Sequence, residues 1–118
     1  MITSEDLDII RESIFLDLLL TKLEKDKSIL IKSPIKIIRP YLFLIEDVMI
    51  RVTKDISSLN KLIRKRGIKI LDPHLMEKQI KVQFLCRGYQ DDIVLQWEFV
   101  RAELEVRLNR YFNLTENK

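Results

Sequence analysis

A helix-rich α+β fold is predicted by three features of the sequence. Long stretches carry apolar residues at three- and four-residue spacing, a central stretch alternates apolar and polar with period two, and turn-forming residues are scarce. Two glycines and three prolines in 118 residues give too little punctuation for a many-stranded β fold. The predicted order is α-α-β-β-α: three main helices, with a two-stranded β-hairpin between the second and third, in a single domain spanning residues 1–118.

Helix one is predicted to start at Thr3 or Ser4, whose hydroxyl satisfies a free backbone N–H, with Glu5, Asp6 and Asp8 at the positive end of the helix dipole. It is expected to run to about Asp26. Leu7, Ile10, Ile14 and Leu18 form one stripe, while Ile9, Leu16, Leu19, Leu20 and Leu23 form another on nearly the opposite side. A helix of this kind needs cover on both faces.

Residues 28–39, SILIKSPIKIIR, read as a connector with room for a short strand, since they are β-branched and interrupted by Ser33-Pro34. Helix two is predicted from Pro40, suited to a first helical turn, to the RKRG of residues 64–67, where Gly67 suits the left-handed position after a helix. Its apolar stripe is Tyr41, Ile45, Val48, Met49, Val52, Ile56, Leu59 and Ile63. At the standard rise this helix is about 40 Å long, against about 35 Å for the diameter of a compact chain of this length. Either the helix bends or the molecule is elongated.

The segments IKIL and QIKVQFLCR, separated by a turn at Asp72-Pro73, predict the hairpin. Ile68, Ile70, Ile80, Val82, Phe84 and Cys86 share one face, and Lys69, Lys81, Gln83 and Arg87 the other. Helix three is expected from Gln90 or Asp91 to about Phe112, with Asp91 or Asp92 as cap and Trp97 as core anchor. Ile93, Trp97, Val100, Leu104, Leu108 and Tyr111 make its main stripe, and Leu95, Phe99, Ala102 and Val106 a second. Residues 113–118 are polar and expected to fray.

Composition narrows the function classes. An apolar fraction of 47% with 33% charged residues describes a folded globule rather than a disordered chain. The acidic start is unlike a signal peptide, and the apolar run at residues 14–20 is broken by Asp17, so a cytoplasmic protein without a membrane partner is expected. One cysteine allows no internal disulfide, and one Cys with one His supply no structural zinc set. Neither cofactor nor metal is expected, and no small-molecule substrate is indicated.

A cysteine-dependent enzyme would rest on Cys86 and His74. Cys86 shares the inward phase of Phe84 and Val82, which makes it a buried hydrophobe before it is a nucleophile. Asp91 and Asp92 are adjacent and do not converge on a metal or a proton, and no phosphate-binding glycine motif occurs. A non-catalytic chain is therefore expected.

Two surfaces remain as candidates. The opposed stripes of helices one and three exceed what one copy hides unless residues 28–39 fold over them, so a protein-interaction or regulatory domain is expected. It would be a homodimer, or bind another protein, through Leu16, Leu19, Leu20, Leu23, Phe99 and Val106. The alternative is a nucleic-acid-binding accessory protein. Net charge is +3, but residues 61–87 hold eight basic residues against Asp72 and Glu77, and Lys61, Arg64, Lys65, Arg66, Lys69 and Lys81 would form the contact. No recognition helix, stacking-aromatic pattern or zinc finger accompanies them.

Overall fold

The computed structural model describes residues 1–114. It contains helix α1 (Ser4–Ile31), helix α2 (Arg39–Lys65), strands β1 (Ile68–Ile70), β2 (His74–Leu75), β3 (Gln79–Cys86) and β4 (Tyr89–Gln96), and helix α3 (Trp97–Tyr111). The fold is α+β and helix-rich, in the order α-α-β-β-β-β-α, with one antiparallel sheet where the sequence predicts a hairpin.

Helix α1 begins as its sequence dictates. The Thr3 hydroxyl accepts from the Asp6 N–H, and the Asp6 carboxylate accepts from the Thr3 N–H, a reciprocal capping box. The helix runs five residues past its expected end at Asp26, through Ser28–Ile31, because nothing in that β-branched run breaks it before Ser33-Pro34. Residues 32–38 form a short turn that leaves Ile35 and Ile37 exposed, so the connector does not cover α1.

Helix α2 carries Pro40 in its first turn and ends against Gly67, at φ +68°, as predicted. Val48, Val52 and Ile63 are buried, and Ile45, Met49, Ile56 and Leu59 are partly buried along the same stripe. The elongated alternative holds: the molecule measures 54 × 31 × 30 Å.

Strand β3 is central. On one side it pairs with β4, Gln79↔Gln96 through Cys86↔Tyr89. On the other it pairs with β1 and β2 in succession, Ile70↔Phe84 and then His74↔Lys81. Residues 71–73 thus face only residues 82 and 83, a bulge that accommodates Pro73 and bends this edge strand. The predicted inward face is correct: Ile68, Ile80, Val82, Phe84 and Cys86 are buried.

The predicted start of helix three is corrected. Residues 89–96 form β4, and Asp91 and Asp92 are exposed strand residues rather than helix caps. Arg87 (φ +50°) and Gly88 (φ +89°) form a two-residue turn with both central residues left-handed, which closes a tight hairpin and carries the chain straight back along β3. Helix α3 then starts at Trp97, whose backbone N–H donates to the Lys78 carbonyl and whose indole N–H donates to the Met76 carbonyl at 2.7 Å. At the end of α3, Asn113 sits at φ +60° after the last helical turn, and the Leu114 N–H donates to the Asn109 carbonyl. The rest of the expected tail, residues 115–118, lies outside the described residues.

Two cores result. One joins the sheet to the first half of α1 and the start of α3 around Ile10, Phe84 and Val100. The other joins the middle of α1 to α2 around Leu19, Leu23, Val48 and Val52, with Leu108 and Tyr111 of α3 packed against it. Leu59 and Leu104 touch both.

Candidate functional site

Leu16, Leu19 and Leu23, expected at a partner interface, are buried inside the chain's own second core. This corrects the sequence reading for these three. Among the described residues, helix α1 is the one helix enclosed on both sides, by the sheet, α2 and α3, so its second stripe is satisfied within one copy. Leu20 is partly buried in the same core. Phe99 remains 48% exposed, its ring set edge-on to Phe15, and Val106 is half-buried. Of the expected second stripe of helix three, Leu95 instead belongs to β4 and is buried there, while Phe99, Ala102 and Val106 lie on α3.

The basic set is divided in the same way. Arg66 forms ion pairs with Asp6 and Glu5, and Lys81 faces Asp92 at 3.5 Å across the β3–β4 pair. Lys61, Arg64, Lys65 and Lys69 are exposed around the end of α2 and the start of β1. Arg64 and Lys65 sit in the last turn of α2, where cations suit the negative end of the dipole.

Asp6 organises the corner around Arg87 and Gly88. Its carboxylate is fully buried. It accepts from Arg87, Arg66 and the Thr3 backbone, and the Cys86 thiol lies 3.6 Å from it. The Arg87 guanidinium, followed by the Thr3 N–H and by Arg66, holds the Asp6 carboxyl well below the usual carboxylate range against the opposing effect of burial. Arg87 also donates to the carbonyls of Arg66 (2.8 Å) and Met1 (2.7 Å). The group ties together the start of α1, the end of α2 and the β3–β4 turn. All its members are mutually satisfied, which is the signature of a structural tie rather than a reactive centre.

Burial, followed by the Asp6 charge, pushes the Cys86 thiol up, the opposite of what a nucleophile requires. His74 is exposed on β2 opposite Lys81, at the other end of β3 from Cys86. Below the bulge, α1, α2 and the edge strand enclose a cleft of about 390 Å³ with a floor of Ile14, Ile63 and Val82 and with Asp17, Asp72 and Arg64 among its polar residues. Burial raises the Asp17 carboxyl above its ordinary value. The cleft lining includes no nucleophile paired with a base, and no cluster of metal-ligating side chains occurs among the described residues. No helix among the described residues is long and apolar enough to cross a membrane.

Periodicity placed Tyr41 in the core stripe of helix two, but among the described residues the start of that helix carries an uncovered apolar surface. Helix α3 stops at Tyr111, whose carbonyl accepts from Arg51 and whose hydroxyl donates to Asp55. The first turns of α2 therefore extend beyond its cover. Tyr41 and Leu44, seven and four residues before Val48, lie on its side of α2 yet are 54% and 48% exposed. Leu44 is about two turns, or roughly 10 Å, beyond Arg51. The last turn of α1 and the first of α2 thus form a two-helix arm with an open flank and an apolar tip. The available signal was the density of Ile, Leu, Tyr and Phe in residues 28–45 combined with the shortness of α3.

No curated protein and no solved structure matches the chain. The family described as YhjD protein matches residues 1–116, nearly the whole sequence, and the chain belongs to that family.

Proposed function

We propose that this protein is a non-catalytic interaction or regulatory domain that forms a homodimer through the open flank of the α1–α2 arm. The observation that carries the reading is the exposure of Tyr41 and Leu44 on the same side of α2 as the fully buried Val48 and Val52. This surface has the pattern of a core without its third helix. Apposition of the same flank from a second copy gives a four-helix arrangement about a twofold axis, an economical way to cover two such hairpins. Charge supports a self-contact. Around the flank, Lys27 pairs with Glu46 and Arg51 with Asp47, so two copies meet without a net like charge. The non-catalytic part rests on the buried, protonated Cys86 and its separation from His74. A reducing cytoplasm is part of the same proposal, because the lone thiol is enclosed and no disulfide supports the fold.

Size-exclusion chromatography with light scattering at micromolar concentration tests it. The expected mass is twice 14.1 kDa, falling to 14.1 kDa for a Tyr41→Ser, Leu44→Ser variant that melts at the wild-type temperature. A wild-type monomer over the whole concentration range overturns the reading.

A further inference from the structure

The turn between α1 and α2 differs from the flank in both chemistry and charge. Ile29, Ile37 and Phe43 are 66%, 76% and 63% exposed, and Ile31 and Ile35 beside them are also exposed. Between Ser28 and Ile45 the sequence has Lys32, Lys36 and Arg39 and no acidic residue. None of these three cations has a carboxylate within ion-pair distance among the described residues, in contrast to Lys22 and Lys27 just before them, which pair with Asp26 and Glu46. A second copy placed on this tip would bring six unpaired cations together. A neutral apolar partner would leave three of them desolvated without compensation. A partner that is both apolar and negatively charged complements this surface in charge as well as in hydrophobicity.

We propose that the α1–α2 tip docks on the surface of an anionic lipid bilayer, with the isoleucines and Phe43 entering the headgroup boundary and Lys32, Lys36 and Arg39 facing the lipid phosphates. Aliphatic and aromatic side chains flanked by Lys and Arg are the chemistry of an interfacial contact. Such a contact needs no spanning segment, so it agrees with the absence of a membrane-length helix among the described residues. The geometry suits it as well. The sheet packs on the first half of α1 and the last turns of α2, so the tip lies at the other end of these two long helices, away from the sheet. This contact does not depend on the homodimer, because it uses the turn rather than the Tyr41 and Leu44 flank.

Sedimentation with vesicles of phosphatidylglycerol and phosphatidylcholine, compared with phosphatidylcholine alone, tests the proposal. Binding is expected on the anionic vesicles, at least tenfold weaker on the neutral ones, and reduced by salt. Lys32→Gln, Lys36→Gln and Arg39→Gln together weaken it about a hundredfold, the product of three single-cation gains at an anionic surface. Ile35→Ser with Ile37→Ser also lowers binding, while the unchanged melting of either variant shows an intact fold. Since Cys86 is buried, an environment-sensitive fluorophore on Ile37→Cys reports position: its emission shifts to the blue on anionic vesicles, while the same label on Lys69→Cys does not shift. The monomeric Tyr41→Ser, Leu44→Ser variant retains binding, which separates this proposal from the dimer. Equal binding to both lipid mixtures, no binding at low salt, or tip variants that alter only the oligomeric state or binding to labelled duplex DNA would overturn it.

Discussion

The guanidinium of Arg87 closes on the carboxylate of Asp6 across 81 residues of chain, and Arg66 meets the same carboxylate from the end of α2. Asp6 carries no exposed surface, so its charge is balanced almost entirely by these two side chains and the Thr3 N–H.

Asp6→Asn is therefore expected to be the most destabilising single polar substitution in the chain, because it leaves two guanidinium groups facing a neutral amide. Urea unfolding measures it, and a double-mutant cycle with Arg66→Gln gives a coupling well above that of an exposed pair such as Asp47 and Arg51. Lys61→Gln and Lys65→Gln, on the solvent side of the same helix end, cost at most about 1 kcal/mol, the contribution of a cation to the helix dipole. The pH dependence follows from the lowered Asp6 carboxyl. The unfolded state takes up a proton near about pH 3.9 while the folded state does not. The stabilisation is thus complete above that pH and is lost progressively as pH falls below it, an acid lability that Asp6→Asn removes.

The turn that positions Arg87 makes a second prediction. Both central residues are left-handed, and Gly88 has open space around it, so Gly88→Ala meets no obstacle except its own backbone. The expected loss is about 1–2 kcal/mol, the cost of a left-handed non-glycine residue. Arg87→Asn separates backbone from side chain. Asn tolerates this conformation better than Arg, yet the variant is expected to be less stable because the contacts to Asp6, Arg66 and Met1 are lost. A gain in stability would show that strain at Arg87 outweighs its hydrogen bonds.

How far the sequence could be read depended on the distance over which each signal acts. Thr3 with Asp6, Pro40, Gly67 and the alternation from Gln79 to Cys86 are local codes, and each produced the predicted structure. Asp91-Asp92 followed by IVLQW carries two local codes, since Ile93 and Trp97 fit a helix while Ile93 and Leu95 fit a strand. The decisive residue was Arg87, whose positive φ makes a hairpin turn that Arg does not advertise. Asp6 appeared as an ordinary first-turn acid because its partners are 60 and 81 residues away. The arm was hidden for a related reason. Its exposure depends on where α3 ends relative to α2, and no window along the chain contains both.

Leu19 tests the division between core and contact surface. It is 1% exposed between α1 and α2, so Leu19→Ala is expected to cost about 2–5 kcal/mol through lost burial and the remaining cavity. Thermal unfolding together with light scattering distinguishes the alternatives: a lower melting temperature at fixed oligomeric state is expected. A change in association without loss of stability would return Leu19 to a contact surface.

Cys86 supplies the last test, because its burial makes both a kinetic and a thermodynamic claim. A thiol reagent such as 5,5′-dithiobis(2-nitrobenzoate) is expected to react with the folded protein only at the rate of its opening, and stoichiometrically once urea unfolds it. The raised thiol also sets a sign at alkaline pH. The unfolded chain loses this proton near about pH 8.5, while the folded chain keeps it to higher pH. The native state then holds more protons, so the contribution is fully present below that pH and stability declines as pH rises beyond it. Cys86→Ala flattens this alkaline slope. It also lowers stability at neutral pH, since it removes a buried side chain that packs with Phe84 and Ile68 in the first core.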